Sequence, residues 1–274
     1  MWPDQSTQDL PRAGARHCLQ TPPSGPQFDG VNRVARLSRV SADNARGHVP
    51  GSFFVLGEGE CAHWAALALM ACLREQGLRI AALMPLARDA QWRQGRWHSE
   101  RVAQLQAASS FAFPATALCP WPQPDPTDPS EAAHRPAPNP DELADSFAVL
   151  ATWADLVVVD GAGDPEESLA PGLAIDDMVK ALDLPVVVAC ENNEDSRRQA
   201  KAAMLRCRER GIPVIGWVVA GEPPKCASSV PCLGQIPADE LRDPARASRR
   251  IDARHLLGVL GMGVQAQGQG QARH

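Results

Sequence analysis

The segment FFVLGEGECAHWA, residues 53–65, contains an apolar strand, a turn with two glycines and the start of a helix, in that order. This order is typical of a phosphate-binding loop with the pattern G-x-x-x-x-G-K-[ST]. In such a loop backbone N–H groups surround the phosphate oxygens, the lysine contacts the β- and γ-phosphates, and the hydroxyl binds Mg²⁺. The position of the segment therefore predicts nucleotide chemistry, and its side chains decide whether that chemistry is available.

The lysine and the hydroxyl are both missing from this segment. Counted forward from Gly57, the last three positions of the pattern are His63, Trp64 and Ala65; counted back from a helix end at Gly77, they are Cys61, Ala62 and His63. We therefore predict a degenerate nucleotide loop, whose positions are Gly57, Gly59, Cys61, Ala62 and His63.

The charges of this segment also oppose a triphosphate. Glu58 and Glu60 place two carboxylates where phosphate charge would lie, and like charges in a partly desolvated site repel strongly. The weak catalytic candidates are His63, which could donate to a phosphate or act as an acid or base near neutral pH, and Arg88. The simpler interpretation is that His63 and Trp64 fill the space of an absent nucleotide.

A second glycine-containing turn follows the strand DLVVVD, which ends at Asp160. Gly161 and Gly163 could form an anion-binding turn, but we favour a tight strand-to-helix connection. Apolar strands alternate with helices of ten to sixteen residues, which predicts an α/β fold with a doubly wound parallel sheet flanked by helices. Ligands of such folds bind at the carboxyl ends of the strands, where both glycine turns lie.

The predicted helices cover residues 62–77, 98–109, 141–153, 173–182 and 196–211, with another from about residue 245. The predicted strands cover 52–57, 78–85, 155–163, 184–190, 213–221 and 233–237. We expect one domain over residues 51–262, with a disordered tail at 1–50 and a loose tail at 263–274. Residues 114–140 contain nine prolines, which predicts a long surface loop without regular structure.

Composition excludes some partners. The net charge of −5 offers no basic excess for nucleic acid, and no run of 18 apolar residues predicts a membrane span. Eight cysteines without a C-x-x-C pair indicate a reduced, cytoplasmic protein.

Several segments together resemble the dethiobiotin synthetase family, which has a P-loop NTPase fold. The matching features are FFVLG, LREQGLRIAALMPLA, ADLVVVDGAG, LDLPVVVAC, RGIPVIGWVVA and LGQIP, in the family's order over about residues 52–260. The resemblance implies ATP- and Mg²⁺-dependent carboxylation and ring closure of diaminopelargonate, a step of biotin synthesis. It also implies a homodimer.

The resemblance also identifies further contacts that this chain lacks. A lysine–proline pair of the family corresponds to Met84–Pro85, and its adenine-contacting asparagine to Ala220–Gly221. The family's two Mg²⁺-binding acids are an aspartate and a glutamate. The aspartate corresponds to Glu100 of this chain, and the glutamate corresponds to Asp160. Without a metal, Glu100 would only favour a helix N-terminus and Asp160 would only end a strand.

Three hypotheses follow from these residues. The leading one is a dethiobiotin-synthetase-like protein with a degenerate nucleotide site, weakly active or non-catalytic, that acts in binding or regulation. In the second hypothesis, the protein is an active synthetase that binds phosphate through Arg88, His63 or arginines of a second subunit. In the third, a ParA/MinD-like interaction protein works through its surface and the proline-rich residues 114–140.

Overall fold

The fold is described from a computed structural model. The structure describes residues 51–57, 59–123, 139–161, 163, 168–170, 173–221 and 229–262, all within one compact unit, Arg46–His274. The predictions for residues 1–50 and 263–274, and for most of the proline-rich segment, lie outside the described residues.

The strands are β1 Phe53–Leu56, β2 Ile80–Leu83, β3 Leu86–Ala87, β4 Gln91–Arg93, β5 Arg96–His98, β6 Trp121–Pro122, β7 Leu156–Asp160, β8 Ser168–Ala170, β9 Leu173–Ala174, β10 Val186–Glu191, β11 Val214–Ala220 and β12 Cys232–Ile236. The helices are α1 Gly59–Glu75, α2 Glu100–Ala108, α3 Ala115–Leu118, α4 Pro140–Ala151, α5 Ile175–Ala181, α6 Glu194–Glu209, α7 Pro244–Ala247 and α8 Ala253–Val259, and a 3₁₀ turn, Ser248–Arg250, follows α7.

Six strands form one parallel sheet in the order β12-β11-β10-β1-β7-β2. The central strands β1 and β7 are buried on both faces and apolar except for Asp160 at the end of β7, as is typical of parallel strands covered by helices. Val55 of β1 lies between Val187 of β10 and Asp160 of β7. This register brings the carboxyl end of β7 beside the turn that follows β1, and it confirms the predicted α/β fold.

Helix α1 packs across the centre of this sheet, against β1, β7 and β10. Its many alanines, among them Ala62, Ala65 and Ala66, are fully buried, which allows the helix to approach the strands closely. The chain leaves the helix through Gly77, at φ 84°, as a left-handed C-terminal cap. The amino end of α1 is thereby fixed at the sheet edge where the strands end.

The free edge of strand β2 forms hydrogen bonds with residues that follow it in the chain. The hydroxyls of Ser110 and Ser109 accept hydrogen bonds from the backbone N–H groups of Ile80 (2.9 Å) and Ala82 (3.2 Å). The N–H of Met84, just after the strand, donates to the carbonyl of Leu118 at 2.7 Å. These bonds occupy donors that an exposed edge would offer to another strand.

Three features of the fold differ from the sequence prediction. Helix α1 begins at Gly59 rather than at residue 62, so most of the predicted loop is helical. Within the proline-rich segment, α3 and β6 are regular, because prolines 114 and 122 lie at a helix N-cap and a strand end, where a missing N–H costs little. A β4–β5 hairpin, residues 91–98, lies in a stretch for which no element was predicted.

Candidate functional site

The connection between β1 and α1 is short. Only residues 57 and 58 separate the end of the strand from the start of the helix. Gly57 and Gly163, in the turns after β1 and β7, exchange backbone hydrogen bonds of 3.4 Å and 2.9 Å. A Cβ atom at Gly57 would lie 2.3 Å from the carbonyl oxygen of Ala189, so this turn is pressed against β10. The two turns therefore bond to each other at the sheet edge.

The predicted loop positions after Gly57 lie in the first turns of α1. Gly59 begins the helix, Ala62 is fully buried, and Cys61 is 2% exposed. Burial, followed by the nearby Cys190 and Glu191, raises the pKa of the Cys61 thiol to about 12. Cys61 is therefore a protonated, unreactive core side chain.

His63 and Asp160 form a buried pair. The Nδ1 atom of His63 lies 2.6 Å from Oδ2 of Asp160, and the two side chains are 2% and 0% exposed. Asp160 is one of the two acids matched to the family's Mg²⁺ ligands. The imidazole of α1 therefore occupies the immediate surroundings of the acid that would hold the metal.

Gln104 of α2 extends this pair into a chain of four side chains. Its Nε2 donates to Oε1 of Glu100 at 3.3 Å, which leaves its Oε1 facing Nε2 of His63 at 2.7 Å. Both ring nitrogens of His63 thus face hydrogen-bond acceptors, and both can donate when each nitrogen carries a proton. The arrangement favours an imidazolium between Asp160 and Gln104.

The pKa of His63 follows from this environment. Burial acts to lower it, but the hydrogen bond and charge of Asp160, together with the hydrogen bond to Gln104, raise the pKa above its ordinary 6.5. Arg101 opposes this shift weakly through its own positive charge. A buried carboxylate without a counterion is costly, so the proton on His63 stabilises the folded site.

Trp64 lies beside this network. Its indole packs edge-on against the His63 ring, with centroids 5.6 Å apart. Trp64 and Gln104 also line an open groove of about 680 Å³ between α1, α2 and the start of α7. Trp64 thus packs in the α1–α2 interface rather than projecting into the turn after β1.

The amino end of α1 carries an acid held by an arginine. Oε2 of Glu60 accepts from Nη2 of Arg242 at 2.5 Å, and both side chains are largely exposed. Glu60 lies in the first helical turn, where a carboxylate is favoured by the helix dipole. Glu58, the other acid predicted to repel phosphate, lies outside the described residues.

The structure places the remaining nucleotide positions as follows. Met84, at the lysine position, is 1% exposed and belongs to the core. Arg88 is exposed in the turn after β3. Ala220 ends β11, and the N–H of Gly221 donates to the carbonyl of Ile236 at 2.7 Å. His63 is a candidate that the structure connects directly to Asp160.

Glu100 and Asp160 are joined through Gln104 and His63 rather than through a shared cation space. Within the described ranges, no group of three His, Cys, Asp or Glu side chains is arranged to hold a metal ion. Gly161 continues the sheet, because its N–H donates to the carbonyl of Val55 at 3.1 Å. A Cβ atom there would lie 2.5 Å from the ring of Phe54, so this glycine is needed for packing.

Gln104 is the site residue that the sequence analysis missed. It lies four residues after Glu100, on the same face of α2, and that spacing is the signal that could have identified it. Its contact with His63 depends on how α1 and α2 pack, which no local pattern specifies.

A scan against family models matches the AAA domain over residues 65–261. The match begins after β1, the turn and the first helical residues. An ATP-dependent dethiobiotin synthetase of Aromatoleum aromaticum is 30% identical over 197 residues, which cover 71% of this chain and 82% of that protein. The corresponding synthetase of Ralstonia nicotianae is 30% identical over 213 residues, which cover 70% and 90%.

Solved structures of similar shape include the septum site-determining protein MinD of Pyrococcus horikoshii, complexed with Mg-ADP. It has a TM-score of 0.49 and 13% identity, covering 79% of this chain and 99% of that one. A ParA family ATPase of Chlorobium tepidum has a TM-score of 0.44 and 13% identity, covering 78% and 94%. Neither value is high enough to carry a conclusion about this chain. The family model and the two synthetases show that the chain belongs to the dethiobiotin-synthetase-like family of P-loop proteins.

Proposed function

We propose that this protein is a non-catalytic or weakly active member of its family, in which binding or regulation has replaced ATP-dependent ring closure. The contact between His63 and Asp160, at 2.6 Å, carries the proposal. A protonated imidazole supplies the positive charge that a divalent cation would otherwise bring to this carboxylate. The site is therefore electrostatically complete without a metal.

The residues present do not fit Mg²⁺. This ion prefers oxygen ligands in strict octahedral geometry, yet Asp160 faces a ring nitrogen and Glu100 accepts from an amide. Metal binding would require His63 to lose a proton and move away from Asp160.

The short turn after β1 supports the same proposal. A triphosphate needs several backbone N–H groups directed at its oxygens, together with a lysine that neutralises the transferring phosphoryl group. Here the N–H of Gly57 donates to Gly163, and the following residues are helical. Nucleotide binding would require this turn to open and the first turn of α1 to unwind.

Calorimetry with ATP and with CTP, each in the presence and absence of Mg²⁺, tests the proposal. We expect no Mg²⁺-dependent heat of binding under conditions in which the Ralstonia nicotianae synthetase binds ATP. Micromolar, Mg²⁺-dependent binding to this protein would refute a degenerate site. An Asp160→Asn variant separates the cases further, because it should reduce such binding only if Asp160 holds the metal.

An active synthetase is the second candidate, supported by the names of the relatives at 30% identity. Such an enzyme would need His63, Arg88 or the arginines of a second subunit to bind the phosphate groups of ATP. Phosphate release with diaminopelargonate, bicarbonate and ATP measures this activity directly. Turnover at the rate of the Ralstonia enzyme, lost in a His63→Ala variant that remains folded, would establish it.

The other predictions remain expectations. A role as an interaction protein through residues 114–140 depends largely on a segment outside the described residues. A homodimer is carried over from the family resemblance, and a cytoplasmic location from the cysteines. In the described part of the chain, no helix has the length and apolar character to span a membrane.

A further inference from the structure

The β4–β5 hairpin carries an unbalanced pair of arginines that the proposed function does not use. Arg93 and Arg96 lie directly opposite each other across the two strands. Like charges at directly opposed positions destabilise a hairpin. The contacts of the hairpin indicate a role for this repulsive pair.

The hairpin is held rigidly on its inner face. Trp92 and Trp97 form an edge-to-face pair with centroids 5.1 Å apart, and Trp97 packs against the core. The two turn residues, Gln94 and Gly95, have φ of 51° and 78°, as a two-residue type I′ turn requires. Gln94 is exposed and takes a left-handed φ that residues other than glycine adopt uncommonly.

The two ends of the hairpin are also fastened together. Asp89, just before it, accepts from the hydroxyl of Ser99 at 2.7 Å and from the N–H of Arg101 at 3.1 Å. Ser99 in turn caps α2 by accepting from the N–H of Val102. The outer face of the hairpin is thus presented in one orientation.

That outer face has no acid to neutralise it. Arg93 donates to Gln91, and Arg96 donates to Nε2 of His98 at 3.2 Å, so the two arginines contact neutral acceptors. Across the described residues, no carboxylate lies within 4.0 Å of either guanidinium. The acids nearest along the chain, Asp89 and Glu100, are engaged with α2.

The hairpin lies at the end of the sheet where ligands bind in this class of fold. It follows β2 and β3, and β2 runs parallel to β7, whose last residue is Asp160. It leads into α2, which carries Gln104 to His63. The connection that carries Arg93 and Arg96 thus leaves the sheet at the carboxyl end of β2, the end at which ligands bind in this class of fold.

We propose that Arg93 and Arg96 form a binding site for the phosphate group of a small molecule, either inorganic phosphate or a phosphate monoester. Two guanidiniums on opposed positions of a hairpin can each donate two parallel hydrogen bonds to one phosphate. A bound dianion removes the repulsion between them. The net charge of −5 on the whole chain disfavours a long polyanion, which would need an extended basic surface.

Nuclear magnetic resonance of the arginine Nε–H groups tests this site in the full chain. Titration with inorganic phosphate, and separately with glycerol phosphate, is compared with sodium chloride at equal ionic strength. We expect the Arg93 and Arg96 signals to shift and saturate with phosphate but not with chloride. Stronger binding of glycerol phosphate would identify a monoester as the ligand class, and equal binding would identify the phosphate group alone.

The variants R93Q/R96Q should weaken phosphate binding at least tenfold. R93K/R96K keeps the charge but loses the paired donors, so it should bind with intermediate affinity. The exposed pair R249Q/R254Q changes net charge equally and should bind as the unaltered protein does. Unchanged Trp92 and Trp97 indole signals show that the hairpin remains folded.

Three results would overturn the proposal. In the first, neither Arg93 nor Arg96 shifts at millimolar phosphate in the folded protein. In the second, R249Q/R254Q weakens binding as much as R93Q/R96Q, which would indicate general charge attraction. In the third, a short oligonucleotide binds much more tightly than glycerol phosphate, which would indicate a nucleic-acid surface. None of these results depends on Mg²⁺ or on the turn after β1.

Discussion

His63 determines the chemistry that this site can perform. In a phosphate-binding loop the corresponding positions approach a cation and a phosphate, whereas here one imidazole faces Asp160 and Gln104. A single residue type thereby supplies a positive charge and fills buried space. The effect of His63 on the free energy of unfolding and its effect on the pH dependence of stability can be measured separately.

Removal of the imidazole should cost much of the protein's stability. His63→Ala removes the imidazole that lies 2.6 Å from the buried carboxylate of Asp160, so the free energy of unfolding should fall by about 3–5 kcal/mol. Arg79→Ala, which breaks a solvent-exposed pair with Asp155 (Arg79 side chain 60% exposed), should lower the free energy of unfolding much less, because water screens that pair. Urea denaturation measures both. Equal losses in the two variants would contradict a structural role for the buried pair.

Stability should decrease as the pH rises through the pKa of His63. Because the folded protein holds this proton more tightly than the unfolded chain, the group's contribution is complete below the ordinary pKa of 6.5. It is lost as the pH passes the raised, folded-state pKa. The urea midpoint of the unaltered protein should therefore fall more on the alkaline side than that of His63→Gln. Parallel pH profiles for the two proteins would show that His63 is neutral in the fold.

At the scale of elements, the turn between β1 and α1 decides the shape of the site. Its two residues hold the helix close to the strand, and Gly57 is pressed against β10. Helix α2 then brings Gln104 to the same place, after a hairpin whose ends are joined through Asp89. The site thus lies where the turn after β1, the end of β7 and the helix that follows β2 come together.

Gly57→Ala should destabilise this junction. The added Cβ would meet the carbonyl oxygen of Ala189 at 2.3 Å, and the backbone must shift to accept it, at a cost of about 1–3 kcal/mol. Gly258→Ala in α8 is the control, because nothing lies within 4 Å of its added carbon and alanine favours a helix. Thermal unfolding compares them. A Gly57 variant as stable as the Gly258 variant would mean that the turn adjusts freely.

At the scale of the whole molecule, the described residues are built around one six-stranded parallel sheet. The structure contains one chain, so the family's homodimer stays a prediction for this protein. We expect light scattering after gel filtration to give about twice the monomer mass of 29.4 kDa. A dimer should also unfold at higher temperature as its concentration increases. A concentration-independent mass of one chain would contradict this expectation.

The sequence by itself determined the fold class and showed that the lysine and the hydroxyl of a phosphate-binding loop are missing from residues 57–65. Apolar strands such as β7 and β10 can be stable only when buried on both faces, and the missing lysine and hydroxyl are visible as residue types. His63 and Asp160 were each singled out by local pattern. The start of α1 was placed late, because Gly59 and Glu60 suit either a turn or a first helical turn.

Only the tertiary structure decided what these residues do together. His63 and Asp160 are 97 residues apart, and His63 and Gln104 are 41 apart. Local periodicity indicates which face of a helix is buried, but it does not specify which side chain on another element meets it. That choice depends on the register of β1 against β7 and on the packing of α1 against α2, which are set by the whole core at once.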